Sequence, residues 1–168
     1  MVIHVGSDLP SSDGDSAGPG SSQEPVMSIE MRTIASAIAI PTIRTVAADL
    51  AARADFDLDS IDDLRMAVDD VCAMLVGIAA KGGDLRCRFT VLAERIELAA
   101  EVEADHLVDP LPNGSFDRRV LESLVDEVTG LLLPGEPHPG AANSAPSAPV
   151  PPGRVRITLA KGTLATPL

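Results

Sequence analysis

The chain reads LRMAVDDVCAMLV from Leu64 to Val76, and this stretch decides the fold. Its apolar residues recur every three or four positions, which predicts a long amphipathic helix with one face in a core. Ser60-Ile61-Asp62-Asp63 offers a hydroxyl and then a carboxylate three residues later, a signature of a helix start, and Gly82-Gly83 marks the stop. The positions predicted to be buried are Ile61, Leu64, Val68, Val71, Cys72, Leu75 and Ala79.

Short stretches of strict alternation surround this helix and predict strands with one buried face, over residues 27–31, 85–91, 96–102 and 155–159. A tight turn at Ala93-Glu94 would join the second and third strands into a hairpin and set Arg86 opposite Glu101. Helical spacing predicts two more helices, one over residues 38–53 and one that Ser115 caps. The latter carries Val120, Leu121, Leu124, Val125 and Val128.

The resulting order is β-α-α-β-β-α-β. Because every strand has a single apolar face, all helices should pack on that face. The predicted fold class is therefore α+β: a two-layer sandwich with helices on one face of a mixed, mostly antiparallel sheet.

Two segments of low complexity bound the predicted domain. Residues 6–25 are mainly Ser, Gly, Asp and Pro, so residues 1–26 are expected to form a disordered leader. The Pro-rich segment 134–153 either ends the domain or is an expanded surface loop before the last strand. We take the domain as residues 27–160 with that loop inside it, and residues 161–168 as a tail.

Composition limits the function classes. The net charge of −12 argues against nucleic-acid binding, which needs clustered Lys and Arg. No apolar run approaches the roughly 20 residues of a membrane span, and the N-terminus is too short for a signal peptide. Cys72 and Cys87 fall at apolar positions and are expected to be free and buried, as in a reduced cytoplasm.

The helix motif is similar to one in the GHKL (Bergerat-fold) ATPases, and most closely to their anti-sigma factor and serine-protein kinase branch, the RsbW type. That branch reads approximately A-V-S-E-A-C-T-N-A-V where residues 67–76 read AVDDVCAMLV, and L-I-E-S-L-M-D-E-V where residues 120–128 read VLESLVDEV. The resemblance covers roughly Met27 to Leu159 and implies a Bergerat, histidine-kinase-ATPase-like fold.

The resemblance implies a role for a few residues. Asp70 occupies the place of the family's general base, although an ordinary solvated helix carboxylate is the alternative. Met74 replaces the family's Mg²⁺-binding Asn, and a thioether is a poor ligand for that ion, so no metal ligand is assigned. Asp105 is the candidate for the adenine-binding carboxylate, with Glu103 competing. Gly114 is the remaining glycine of the phosphate-binding motif.

Asp117 follows Gly114 and would put negative charge where a phosphate should lie. We therefore interpret the chain as a binding scaffold with a degraded nucleotide site. No cofactor is expected, and ATP with Mg²⁺ would bind only if that site is retained. Arg44 falls where the family's first helix carries a partner-contacting Arg, although a solvated Arg is the alternative.

Three functions follow as hypotheses from this resemblance. The first is an anti-sigma factor, a cytoplasmic homodimer that sequesters an RNA polymerase sigma factor and is displaced by an anti-anti-sigma antagonist. The second is an active ATP-dependent serine kinase that phosphorylates that antagonist, with Asp70 as base. The third is a non-catalytic adaptor domain without a sigma partner. No nucleic acid or membrane is expected among the partners.

Overall fold

The computed structural model describes residues 1–6, 25–104, 106, 108–134 and 153–163, with backbone only for residues 4–6. Within these ranges the elements are β1 (Val2–Gly6), β2 (Met27–Ile34), α1 (Ile40–Arg53), α2 (Leu58–Ile78), β3 (Asp84–Val91), β4 (Arg95–Ala104), α3 (Phe116–Leu124), β5 (Glu127–Leu133) and β6 (Gly153–Gly162). A 3-10 turn at Ala37–Ala39 precedes α1. None of these helices is long and apolar enough to cross a membrane.

The strands form one sheet in the order β1-β2-β3-β4-β6-β5. Each described neighbouring pair is antiparallel, so the mixed sheet that we expected is fully antiparallel in the described chain. The hairpin prediction is confirmed, because the Leu92 N–H donates to the Arg95 carbonyl across the turn at 2.8 Å. Arg86 lies opposite Glu101, as the alternation predicts.

The helices cover one face of the sheet and bury the core there, which confirms the two-layer α+β sandwich. Helix α2 packs on β4 and β6, α1 packs beside it, and α3 contacts α2 and β5. The buried face of α2 consists of Ser60, Leu64, Ala67, Val68, Val71, Cys72 and Leu75. Facing it, the apolar residues of β3, β4 and β6 are almost fully buried: Leu85, Cys87, Phe89, Val91, Ile96, Leu98, Ala100, Val102, Val155, Ile157 and Leu159.

The two cysteines are free and buried in this core, as expected. Cys72 of α2 and Cys87 of β3 lie against each other where the helix meets the sheet. The hydrogen bond with the Cys72 thiol, followed by burial, raises the pKa of Cys87 well above its ordinary value. Both thiols therefore act as small apolar core groups.

Helix α2 starts earlier than we predicted. Its N-cap is Asp57, whose carboxylate accepts hydrogen bonds from the Ser60 N–H at 2.9 Å and from the Ser60 hydroxyl at 2.8 Å. These bonds lower the pKa of Asp57. Ser60 is thus one turn inside the helix rather than its cap, because an Asp side chain satisfies the free N–H groups as well as a Ser.

The third helix ends earlier than predicted, at Leu124. Val125 is already extended, at φ −132° and ψ 160°, and Val128 lies in β5 rather than on the helix. The strand was missed because Val125 and Val128 continue the helical spacing of Leu121 and Leu124. Pairing with β6 decides between the two structures, since Val128 is buried on that edge of the sheet.

The N-terminal strand also differs from the expected leader. Residues 2–6 form β1, which pairs with β2 in a register that joins Val2 to Arg32. Residues 7–24, which make up most of the predicted leader, lie outside the described residues. So do residues 135–152 of the Pro-rich segment and residues 164–168 of the predicted tail.

The outer face of the sheet carries charge around one carboxylate. Glu101 is 9% exposed although it points away from the helices. Its oxygens accept from Arg156 at 2.6 Å and 2.9 Å and from Arg154 at 3.3 Å, and Arg86 lies 3.8 Å away. One carboxylate therefore joins β3, β4 and β6 on the face that has no helices.

We expect Glu101→Ala to lower the free energy of unfolding by about 2 kcal/mol, because it leaves partly buried guanidinium groups without their shared carboxylate. Urea denaturation measures this change. Glu30→Ala is the matched control, since Glu30 pairs with Arg88 at 2.9 Å on the same face but both side chains are largely exposed. The control should cost less than about 1 kcal/mol. Equal losses in the two variants would show that Glu101 has no special role.

Candidate functional site

Helix α2 presents an acidic face opposite its buried one. Asp62, Met66 and Asp70 follow at four-residue intervals and so lie along one side of the helix. Because Leu64, Val68 and Val71 are fixed in the core, these three side chains must point away from the sheet. The packing of α2 therefore fixes the direction of these three side chains.

Arg44 of α1 reaches this face. Its Nη1 donates to Asp69 Oδ1 at 3.1 Å, and the two side chains are 39% and 42% exposed. The predicted partner-contacting Arg thus lies beside the predicted catalytic helix. At this exposure the ion pair orients the guanidinium more than it stabilises the fold.

A groove runs between α2 and α3 next to this ion pair. It has a volume of about 520 Å³, and Met66, Val120 and Leu124 supply its apolar floor. Arg44, Asp62, Arg65, Asp69 and Asp70 form its charged rim. We call this feature the α2–α3 groove.

Asp70 lines the α2–α3 groove, and Asp117 of α3 lies near it without lining the groove. Partial burial of the carboxyl raises the pKa of Asp70, and the nearby negative charges of Asp69 and Asp117 raise it further. Asp117 lies in the first turn of α3, which Ser115 caps by accepting from the Arg118 N–H at 3.2 Å. The Ser115 cap is confirmed.

Met74 lies one helical turn beyond Asp70 and packs against the core as a half-buried side chain. It is not part of the α2–α3 groove. A thioether held in an apolar contact offers no oxygen to a hard cation such as Mg²⁺.

The remaining nucleotide candidates contribute little to the described site. Asp105 lies outside the described residues, and its competitor Glu103 is half-buried at the end of β4. Gly114 is exposed with φ +77°, and an added Cβ would meet no atom within 4 Å. Its role is a backbone turn into α3, which a residue without a Cβ adopts easily.

Two of the described positions fit a magnesium–nucleotide complex poorly. A phosphate group near the α3 N-terminus would meet the carboxylate of Asp117, and a magnesium ion would find the Met74 sulfur in place of an oxygen. The Asp70 carboxylate keeps its place on helix α2, whereas Met74 offers no oxygen to a magnesium ion and Asp117 would repel a phosphate.

The fold and this site define a class: a Bergerat-type α+β regulator whose long second helix carries an acidic motif. Comparison with known proteins agrees. The chain is 30% identical to the serine-protein kinase RsbW of Bacillus subtilis in an alignment of 120 positions that covers 60% of this chain and 75% of that protein. It is 30% identical over 106 residues to the anti-sigma-F factor RsbW of Mycobacterium tuberculosis, which is 63% of this chain and 62% of that protein.

A third relative, the serine-protein kinase RsbW of Bacillus licheniformis, is 28% identical in an alignment of 120 positions. That alignment covers 60% of this chain and 75% of that protein. No family model matches the chain. The chain belongs to the RsbW family.

The sequence predicts Asp70 and Arg44 as site residues but not the α2–α3 groove, which both of them line. The available signal was Met66, a large apolar residue four positions before Asp70 on the polar side of the helix, and it is 49% exposed. Val120 and Leu124 gave no such signal, because their spacing is equally typical of core positions.

We expect Asp70→Asn to be more stable than the wild type at pH 7. The raised pKa means that folding favours protonated Asp70, so its stabilising contribution exists at low pH and is lost as pH rises through the raised pKa. The urea midpoint of the variant should therefore exceed that of the wild type at neutral pH, and the difference should shrink on acidification.

Asp62→Asn is the control for this prediction, because Asp62 accepts from Arg65 at 2.7 Å and loses an ion pair on substitution. It should give no stabilisation at pH 7. A destabilised Asp70→Asn at pH 7 would contradict the proposed repulsion between Asp70 and its acidic neighbours.

Proposed function

We propose that this chain is an anti-sigma factor that sequesters an RNA polymerase sigma factor in the cytoplasm and is released by an anti-anti-sigma antagonist. Membership of the RsbW family carries the proposal, since one relative in that family is named an anti-sigma-F factor. The net charge of −12 suits a protein partner with a basic surface.

The proposed mode of action is binding without phosphoryl transfer. A kinase site must position a magnesium ion and spread the charge of the transferred phosphoryl group. The Met74 thioether and the Asp117 carboxylate support binding without transfer. Met74 replaces the oxygen ligand of a magnesium ion, and Asp117 places negative charge where a phosphate would lie. Sequestration needs only a complementary surface, and α1 and α2 provide one that is rigid and charged.

Arg44 is the proposed partner contact on this surface. Its ion pair with Asp69 holds the guanidinium at the edge of the α2–α3 groove while leaving 39% of the side chain accessible. A planar, pre-oriented guanidinium can make two parallel hydrogen bonds to a partner carboxylate with little further loss of conformational freedom. The active assembly is proposed to be a homodimer, as the family resemblance implies.

A second candidate function is the active serine kinase, because the Bacillus relatives carry that name. In that case Asp70 would act as the base toward a serine hydroxyl of the antagonist. Its raised pKa, which is nearer to the operating pH, is the one property that favours this role.

One experiment distinguishes sigma binding from phosphoryl transfer. Purified sigma factors of the source genome are added one at a time to the purified chain, with and without ATP and Mg²⁺. We expect one of them to bind with a Kd that nucleotide leaves unchanged, as measured by isothermal titration calorimetry. Phosphate transfer from radiolabelled ATP to a purified antagonist, lost in Asp70→Ala, would overturn the non-catalytic mode. Failure of every sigma factor to bind would overturn the anti-sigma function.

We expect Arg44→Ala to weaken sigma binding about tenfold, which corresponds to about 1.4 kcal/mol. Arg53→Ala is the matched control, because Arg53 lies on the same helix and pairs with Asp49 at 2.7 Å, away from the α2–α3 groove. Thermal denaturation of both variants checks that α1 remains folded. Equal affinities for the two variants would remove Arg44 from the interface.

A further inference from the structure

The α2–α3 groove has an apolar floor that the described residues of the chain leave open. Met66 is 49% exposed, and Val120 and Leu124 are only half-buried. On α3 only Leu121 is buried, although the helix is strongly amphipathic. Val120 and Leu124 lie one turn apart, so the floor repeats at the spacing that a docked helix can match.

Only some of the carboxylates around the α2–α3 groove are paired with a cation among the described residues. Asp69 pairs with Arg44, and Asp62 pairs with Arg65. Asp70 and Asp117 have no ion pair or hydrogen bond to any cation in the described part of the chain. Burial of the carboxyl raises the pKa of Asp70, and the charges of Asp69 and Asp117 add to that effect. The groove thus presents the Asp70 carboxylate with a second carboxylate, Asp117, close by, and a cation from outside would neutralise both.

We propose that the α2–α3 groove receives a basic amphipathic helix of the sigma factor. The apolar side chains of that helix would lie on Met66, Val120 and Leu124, and a Lys or Arg would lie between Asp70 and Asp117. The argument is charge complementarity combined with an open apolar floor. The proposal rests on the proposed function, and it names the binding chemistry of the partner segment.

The geometry of the helices supports a helical partner over an extended one. Helix α3 has nine residues and is therefore about 13 Å long, or two and a half turns. A partner helix of the same length would present apolar side chains at positions i, i+4 and i+7 to the floor. An extended segment would instead need unpaired backbone groups to hold it, and the walls of the groove are helices whose backbone groups are already bonded.

The first experiment maps the site without any sigma factor. An 18-residue amphipathic helical peptide of Leu and Lys is titrated into the 15N-labelled chain, and a Leu and Glu peptide of the same pattern serves as the control. We expect amide shifts to concentrate at Met66, Asp70, Asp117, Val120 and Leu124 with the Lys peptide and to be absent with the Glu peptide. Shifts centred on the outer face of the sheet, or equal binding of both peptides, would overturn the proposal.

The second experiment tests the charged end of the site. The double variant Asp70→Asn with Asp117→Asn should weaken sigma binding at least tenfold at low salt, and the effect should shrink as salt is added. Glu30→Gln with Glu94→Gln is the matched control, because it removes the same charge from the outer face and from the β3–β4 turn. Both double variants must keep the wild-type circular dichroism spectrum.

Met66→Asp provides a second test of the floor, since it places a charge on the apolar surface at a side chain that is 49% exposed, and circular dichroism checks that the variant folds. It too should weaken sigma binding at least tenfold. If sigma binds the wild type and all groove variants equally, the groove proposal fails while the anti-sigma function stands. If no sigma factor binds the wild type, the function itself fails. If only binding of the antagonist weakens, the assignment to sigma is overturned.

Discussion

The packing of α2 on the central strands is the constraint on which the rest of the structure depends. This helix contacts α1, α3, β4 and β6, so it joins every part of the helical layer to the sheet. Leu64, Val68 and Leu75 have no exposed surface. A rotation of the helix by one residue would move about 100° of its surface and expose this face, at roughly 1.5 to 3 kcal/mol for each large side chain. The rotational setting of α2 is therefore fixed.

Because that setting is fixed, the acidic face is fixed as well. Asp69 and Asp70 are adjacent in sequence, so they diverge by about 100° around the helix axis. The Asp69 side chain consequently points toward α1 and accepts a hydrogen bond from Arg44. The Asp70 side chain points toward α3, where Asp117 is a nearby negative charge. The geometry of a single helix thus gives two neighbouring carboxylates different surroundings. Asp69 is paired with a cation, and Asp70 lies among negative charges.

The elements predicted correctly from the sequence are those whose apolar pattern is compatible with a single secondary structure. Strict alternation fixed the hairpin and its register, including Arg86 opposite Glu101, because a slip by one residue would turn every apolar side chain to the outer face. The errors occurred where two structures share a pattern. Val125 and Val128 suit a fourth turn of α3 as well as the start of β5, and only the pairing with β6 distinguishes them.

The candidate site was predictable only along α2. Asp70 follows from the register of the helix, whereas its relation to Asp117 depends on the antiparallel approach of α3, which no local pattern encodes. The same holds for the α2–α3 groove, since Met66 of α2 lies more than 50 positions before Val120 and Leu124 of α3. Long-range packing brings them together, and single-sequence reasoning has no access to it.

In the non-catalytic mode that we propose, the scaffold keeps its partner surface without its nucleotide chemistry, because the two have different physical requirements. Phosphoryl transfer needs oxygen ligands for a metal ion, open N–H groups and positive charge within a few ångströms, and the Met74 thioether supplies none of these. Partner binding needs a surface with complementary charge, and the packing of α2 on the sheet holds that surface in place. Asp117 of α3 adds negative charge near Asp70, which weakens any phosphate site and favours the cationic partner that we propose.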